Sequence, residues 1–138
     1  MAHFNDGYTG HLYEEEVLGH SSAHHRGYLR WREAVEVVRK NQPRAHTPIA
    51  AKLERAVACE LRSSVKFFTA VRSTLDVMHG CDGFFEYSGV VVTIDLTLNP
   101  HKDSGKADLI IAPDDVANVP ALAERIAREL RTKLLRRT

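Results

Sequence analysis

Two aspartates stand in an apolar part of the chain where buried strand residues are expected. Asp82 precedes Gly-Phe-Phe-Glu-Tyr, and Asp95 lies near the end of Val-Val-Val-Thr-Ile-Asp-Leu-Thr. Ser88 and Gly89 predict a tight turn between the two segments, so the carboxylates would lie on neighbouring strands. An ionised carboxylate on a buried strand is unfavourable unless a partner or a metal ion compensates its charge. The pattern therefore favours a site in which Asp82 and Asp95 hold Mg²⁺ (or Mn²⁺).

A cation held by two carboxylates suits phosphoryl chemistry, in which a nearby lysine orients the attacking water. Lys102 and Lys106 follow Asp95 by seven and eleven residues, and Lys106 is the preferred candidate. A third acid, Glu60, projects near the middle of the apolar stripe of a predicted helix, with Glu54 on its flank. Glu60 would assist the metal site through water; an ion pair with arginine or a solvated helix end is the alternative.

Three more residues are candidates for the same cleft. Asp76 and His79 precede Asp82 by six and three residues. His79 is a candidate metal ligand or proton carrier, although a hydrogen-bonded turn residue is the simpler interpretation. His101, in a polar loop further along the chain, is a candidate contact to DNA phosphate.

The last predicted helix has a basic face that includes Arg128 and Arg131. A solvated helix surface is the simpler interpretation of such a face. Contact with a phosphate backbone is the alternative, and it makes these two arginines candidate nucleic-acid-binding residues.

Periodicity and turn residues predict the elements that position these side chains. Apolar residues at helical spacing predict a helix from Tyr28 to Lys40, which Asn41, Gln42 and Pro43 end. A second helix begins after Thr47 as N-cap and runs to about Arg62. The segment from Ser73 to Gly80 reads as a connection. Further elements are a strand in Val65–Val71, the strand pair within Gly80–Thr97, a short strand in Lys106–Pro113 and a helix that begins at Pro120. This order predicts an α/β fold with a small central mixed β-sheet flanked by helices.

Composition sets the frame for this fold. The chain has 138 residues, is 43% hydrophobic and 27% charged, and has a net charge of +1, which by itself does not indicate binding to nucleic acid. Residues 1–27 hold five of the eight histidines and predict a poorly ordered or partner-dependent arm, so residues 28–138 form the single domain. Two cysteines without metal-type spacing and the lack of a long apolar run predict a cytoplasmic protein with no membrane segment.

From Ile49 to about Leu135 the chain resembles the PD-(D/E)xK phosphodiesterases, the restriction-endonuclease-like nucleases that include Holliday-junction resolvases and repair nucleases. The resemblance lies in a helix that bears an acid, a strand opened by Asp, a tight turn and a second strand that ends in an acid. Glu60, Asp82 and Asp95 match these positions. The resemblance implies a restriction-endonuclease-like fold and a catalytic set of Asp82, Asp95 and Glu60 around a magnesium ion.

The sequence departs from this pattern at two positions. Asp82 follows Cys81 rather than proline, and Thr97 stands two positions after Asp95, where the family pattern has lysine. Members of the family can place that lysine on a neighbouring element. Lys106, with Lys102 as second choice, would then complete the catalytic set.

The resemblance implies a metal-dependent endonuclease that hydrolyses phosphodiester bonds in DNA, with RNA as an open alternative. The second interpretation is a non-catalytic nucleic-acid-binding or accessory subunit on the same scaffold, because Thr97 replaces the motif lysine. In a third, the fold is different and Asp82 and Asp95 pair with arginines. Nucleases that cut both strands often act as dimers, so a homodimer is an open alternative to a monomer.

Overall fold

The computed structural model describes residues 13–19, 21, 28–40, 47–98 and 107–137. Helix α1 covers residues 13–18. The elements that follow it in the described part of the chain are α2 (Trp31–Lys40), α3 (Pro48–Leu61), β1 (Lys66–Thr69), α4 (Thr74–His79), β2 (Gly83–Tyr87), β3 (Val90–Leu96), β4 (Leu109–Ile111), α5 (Pro113–Val116) and α6 (Val119–Arg137). None of the described helices is long and apolar enough to cross a membrane.

Local capping signals define the boundaries of α3. The side-chain oxygen of Thr47 accepts a hydrogen bond from the backbone N–H of Ala50 at 3.1 Å, and Pro48 occupies the first helical position. Arg62 ends the helix in the left-handed conformation. The helix predicted from the Thr47 cap and the following proline is therefore confirmed.

A four-stranded mixed sheet in the order β1-β2-β3-β4 forms the centre of the fold. The pairs β1–β2 and β2–β3 are antiparallel, whereas β3 and β4 are parallel. Ser88 and Gly89 form the turn between β2 and β3, with φ angles of 50° and 83°. Two-residue turns with positive φ at both positions match the twist of antiparallel strands. The predicted α/β fold with a small mixed sheet flanked by helices is confirmed.

Helices cover both faces of this sheet. On one face, α3 and α6 pack against Phe85 and Ile94 in the larger part of the core. On the other face, α2 and α4 pack against Phe68 and Phe84. Successive strand residues point to opposite faces, so an acid next to Ile94 in β3 points to the α2 and α4 side.

Along the first half of β3, side chains rather than a neighbouring strand form hydrogen bonds with the backbone groups at the sheet edge. β4 pairs only with the end of β3, opposite Ile94, Asp95 and Leu96. Further back, the backbone N–H of Thr93 donates to Asp108 at 2.8 Å, and Lys133 donates to the carbonyl of Val91 at 2.8 Å. Lys133 and Asp108 form an ion pair at 2.7 Å. These contacts satisfy backbone groups that would otherwise form an exposed sheet edge.

Two helices differ from the sequence-based expectation. The segment from Ser73 to Gly80, expected to be a connection, contains α4, and its terminal turn residues are the N-cap and C-cap of that helix. Residues 13–18, placed in the arm, form α1, and Val17 and Leu18 are buried in the core shared with α3 and α6. These residues therefore belong to the core of the domain, while most of the rest of segment 1–27 lies outside the described residues.

Candidate metal centre

Asp82 and Asp95 are neighbours across the β2–β3 pair. The backbone N–H of Asp82 donates to the carbonyl of Ile94 at 2.8 Å. Gly83 opposes the same Ile94 at the start of β2, so Asp82 lies beside the residue that directly precedes Asp95. The two carboxyl groups form a hydrogen bond with each other. The expected proximity of the two acids is therefore observed.

Asp82 is the most deeply buried acid of the site. It is 1% exposed, against 8% for Asp95, and its Oδ2 accepts a hydrogen bond from the backbone N–H of Leu96 at 2.7 Å. Burial, the charge of Glu14, the hydrogen bond with Asp95 and the charge of Asp76 together raise the pKa of Asp82 to about 11. Without a cation, Asp82 is therefore protonated at neutral pH.

Helix α4 brings Asp76 to this pair. The side-chain oxygen of Ser73 caps the helix by accepting a hydrogen bond from the backbone N–H of Asp76 at 3.4 Å. The Asp76 carboxylate accepts another from the backbone N–H of Arg72 at 2.7 Å. Gly80 ends the helix with φ of 66° and leads directly towards Asp82. The expectation that Asp76 lies in the same cleft as Asp82 is observed.

Helix α1 adds Glu14 to the site. The helix is fixed by its buried residues Val17 and Leu18 and by a hydrogen bond from the Thr47 hydroxyl to the carbonyl of Val17. On its other side, Glu15 forms an ion pair with Arg72, next to the segment that leads into α4. These contacts align α1 with α4, so that Glu14 faces the carboxylates instead of solvent.

Carboxylate oxygens of Glu14, Asp76 and Asp82 all lie within 4.8 Å of one another. Opposite ligands of an octahedral Mg²⁺ are about 4.2 Å apart, so this spread is close to what one ion requires. Asp95 adjoins the group through its hydrogen bond with Asp82. Glu14, Asp76, Asp82 and Asp95 together form the carboxylate cluster.

The donors of the carboxylate cluster are all oxygens, which suits a hard cation such as Mg²⁺ or Mn²⁺. Cys81 lies next to Asp82 but does not add a thiolate. Its thiol donates to the carbonyl of His79 at 3.5 Å, and among the described residues its sulfur is not part of the group of ligand atoms formed by Glu14, Asp76 and Asp82. A soft metal that prefers sulfur has no such ligand here. A divalent cation would instead replace the proton on Asp82 and compensate the charge of the crowded acids.

Glu60 does not join the carboxylate cluster, which corrects the sequence-based assignment. It is exposed on α3, which packs on the face of the sheet opposite to Asp95, and its backbone carbonyl accepts a hydrogen bond from Arg131. The buried residues of α3 are Ala50, Leu53, Val57 and Leu61. Glu60 lies at the edge of the stripe that they set, next to Leu53, and its side chain is exposed there.

Glu54, the alternative to Glu60, has a structural role. Its Oε2 accepts a hydrogen bond from the backbone N–H of Phe67 at 2.8 Å. That contact ties α3 to the edge strand β1. This structural contact differs from the catalytic role that the family pattern implies for the acid of the first helix.

His79 is buried at the end of α4 and holds neighbouring backbone in place. Its Nε2 lies 2.7 Å from the carbonyl oxygen of Leu29, and its ring lies against Tyr28 with centroids 5.8 Å apart. This geometry supports the hydrogen-bonded structural interpretation over that of a metal ligand. The helix-capping Gly80 turns the chain between His79 and Asp82.

Both candidate lysines, Lys102 and Lys106, lie outside the described residues, as does His101. Thr97, at the position of the motif lysine, continues the backbone pairing of β3, since its N–H donates to the carbonyl of Ile111 at 2.9 Å. Arg72 contacts the cluster through its backbone N–H, which donates to Asp76, while its guanidinium forms an ion pair with Glu15.

Arg128 and Arg131, the predicted nucleic-acid contacts, lie on the exposed side of α6. Arg128 forms an ion pair with Glu124 at 3.1 Å, one helical turn away. Arg131 donates to the carbonyl of Glu60 on α3. α6 packs on the other face of the sheet from the carboxylate cluster, so these arginines are not next to it.

Sequence reasoning missed Glu14 because the residue lies in the histidine-rich segment that was assigned to an arm. The signal present is a run of acids, Glu14 to Glu16, followed directly by the apolar pair Val17 and Leu18. That pattern fits one end of a short amphipathic helix.

No protein-family model, curated protein or solved structure matches this chain.

Proposed function

We propose that this protein is a divalent-cation-dependent phosphodiesterase that hydrolyses nucleic acid, with DNA as the substrate. The observation that carries the proposal is the convergence of Glu14, Asp76 and Asp95 on the buried carboxyl of Asp82. Four acids brought together from separate parts of the chain are unfavourable unless a cation offsets their charge. The hairpin that holds two of them is also the part of the chain that resembles the PD-(D/E)xK nucleases.

In the proposed site the four acids hold one cation from different sides. Asp82 and Asp95 hold the cation from the sheet, and Asp76 and Glu14 hold it from the two helices. A bound divalent cation supplies stabilisation of the negative charge that develops on a phosphoryl group. The backbone N–H of Leu96 orients the Asp82 carboxylate, and the Ser73 cap orients Asp76 through the first turn of α4.

Cleavage assays test this proposal. Plasmid DNA and a labelled oligonucleotide are incubated with the protein in Mg²⁺, in Mn²⁺ and in EDTA. We expect cleavage with either cation, none in EDTA, and loss of cleavage in Asp95→Asn with an unchanged circular dichroism spectrum. The matched control is Asp114→Asn, since Asp114 is exposed on α5. Cleavage that persists in EDTA, or equal activity of both variants, contradicts the proposal.

A non-catalytic nucleic-acid-binding protein is the second candidate, favoured by threonine at the position of the motif lysine. Under that proposal the carboxylate cluster binds a cation for stability alone. The two candidates differ in one result, because the non-catalytic protein binds DNA and Mn²⁺ and leaves the DNA intact. Lys106→Ala and Lys102→Ala then decide whether a displaced lysine acts: loss of cleavage in either supports the enzyme.

A further inference from the structure

A groove opens on the α2 side of the sheet, at the turn end of the β2–β3 pair. It has a volume of about 640 Å³ and lies between α2, the β2–β3 turn and the last turns of α6. Val91 lines it and precedes Asp95 by four positions on the same side of β3. At ~3.3 Å per residue, the groove begins about 13 Å from that acid. The groove and the carboxylate cluster therefore lie along one face of the sheet.

Positive charge dominates the lining of the groove. The basic residues that line it are Arg32, Arg39, Lys133, Arg136 and Arg137. Glu36 and Glu86 neutralise Arg39, and Asp108 neutralises Lys133. Within the described part of the chain, no carboxylate forms an ion pair with the other three arginines. Their guanidinium groups give the groove its excess of positive charge.

The β2–β3 turn holds one of these guanidinium groups in place. Arg137 donates to the carbonyl of Ser88 at 3.0 Å. A Cβ atom at Gly89 would come within 2.5 Å of the Arg137 Nη1, so glycine leaves room for the arginine as well as allowing a φ of +83°. The guanidinium is thereby ordered at the rim of the groove before any ligand arrives.

An aromatic ring lies beside these charges. Trp31 lines the groove, is 36% exposed, and lies beside the buried Cys81. Part of the indole ring is therefore open to solvent. A partly exposed ring next to cations is the arrangement on which unpaired bases stack.

We propose that this groove binds a single strand of nucleic acid, with phosphates on Arg32, Arg136 and Arg137 and one base stacked on Trp31. A planar guanidinium group can donate two parallel hydrogen bonds to two oxygens of one phosphate. Three such groups therefore bind phosphate more specifically than a diffuse positive surface does. The volume is in the range of small-ligand pockets, which suits one or two nucleotides of a strand and is too small for a duplex. The choice of nucleic acid as ligand rests on the proposed function, whereas the charge and the ring do not.

Trp31 gives the experiment its probe, because it is the single tryptophan of the sequence. The full-length protein in EDTA, in which the proposed chemistry is off, is titrated with an oligothymidylate of about 12 nucleotides. Intrinsic fluorescence is recorded at several salt concentrations. We expect quenching of Trp31 as the strand binds, and an affinity that falls linearly with salt on logarithmic axes.

Paired variants locate the binding. Arg32→Ala with Arg136→Ala should weaken binding at least about tenfold and reduce the salt slope by about 1.4, as expected for two lost phosphate contacts of a single strand. Lys52→Ala with Arg55→Ala removes two exposed cations from α3 and should leave both quantities unchanged. For Trp31→Ala, followed by fluorescence anisotropy, we expect a loss of at least about fivefold, and Trp31→Phe should retain most of the affinity.

Competitors distinguish the class of ligand. Thymidine monophosphate, a duplex of the same length and polyglutamate are each added to the complex. The proposal requires that the single strand bind more tightly than all three. Equal affinity for the monophosphate would instead identify a nucleotide pocket, and equal affinity for polyglutamate a site for acidic peptides; either result overturns the proposal. So does an unchanged affinity of the paired arginine variant.

The failure of this inference and that of the proposed function give different results. If the arginine pair cleaves and binds like the unmodified protein, the groove proposal is wrong while hydrolysis stands. If no cleavage occurs in Mg²⁺ or Mn²⁺ but the strand binds through the groove, hydrolysis is wrong and the groove proposal stands.

Discussion

At the scale of the residue, the protonation state of Asp82 decides how the carboxylate cluster behaves. Its pKa of about 11 in the folded protein reflects burial first and neighbouring acids second. In an unfolded chain an aspartate releases its proton near pH 4. The folded protein therefore binds more protons than the unfolded chain between these values, and its free energy of unfolding falls as pH rises through this range.

This linkage predicts a pH effect that Asp82→Asn removes. In EDTA, the unmodified protein should lose up to about 1.4 kcal/mol of unfolding free energy per pH unit, relative to the variant, as pH rises from about 5 to about 8. The asparagine keeps an oxygen for Leu96 and a donor for Asp95 but does not titrate. Urea denaturation at each pH measures the difference. Parallel pH profiles of the two proteins would show that Asp82 is already ionised.

Glu14 provides a matched pair of variants for cation binding. Glu14 faces the carboxylate cluster, whereas Glu16 on the same short helix is exposed. Glu14→Gln should weaken Mn²⁺ binding at least about tenfold, which corresponds to ~1.4 kcal/mol, because one charged ligand is lost. Glu16→Gln should leave it unchanged. Calorimetric titration of Mn²⁺ into both variants gives the affinities, and an equal change in both would exclude Glu14 as a ligand.

The sequence predicts the two strand acids but not the complete cluster. Asp82 and Asp95 can be recognised because each interrupts a local apolar pattern, and the turn between them sets their register. Glu14 reaches them only through the docking of α1, which no local pattern specifies. Glu60 shows the opposite error, because a helical projection cannot tell which flank of the stripe faces the sheet.

At the scale of the element, α4 positions Asp76 through its caps. Ser73→Ala removes the N-cap and should lower the free energy of unfolding by about 1 kcal/mol. It should also weaken Mn²⁺ binding, because the first turn that carries Asp76 loosens. Ser64→Ala, at an exposed position before β1, is the control. Denaturation and calorimetry together test the coupling, and a loss of stability without any change in cation affinity would show that Asp76 is positioned independently of the cap.

Elements with strong local signals are predicted well, and short ones are not. The proline and threonine that begin α3 and the turn residues of the hairpin act within a few positions, so they are readable without knowledge of the rest of the fold. α4 has six residues, too few to establish a periodic pattern, and its capping residues resemble those of a loop. Its helical conformation depends on packing, since Leu75 is buried against the sheet.

At the scale of the whole molecule, the carboxylate cluster joins elements that are distant in the chain. α1, α4 and β3 each supply one acid and the residue directly before β2 supplies the fourth, so a cation bound to all four should stabilise the fold as a unit. At a cation concentration about 100 times the Kd, the free energy of unfolding should increase by about 2.7 kcal/mol. Thermal denaturation with and without Mn²⁺ measures this increase. It should vanish in the double variant Asp82→Asn with Asp95→Asn, and an increase of the same size there would place the cation elsewhere.

The location of the cation tests the central claim most directly. Crystals grown with Mn²⁺ would be measured at a wavelength where manganese scatters anomalously. We predict an anomalous peak among Glu14, Asp76, Asp82 and Asp95, with oxygen ligands at roughly the 2.0–2.1 Å typical of a small hard cation. If the four carboxyls remain without a peak, and Asp82 keeps its hydrogen bond to Asp95 in the presence of Mn²⁺, the carboxylate cluster is a structural proton-sharing site and the proposed hydrolytic function is wrong.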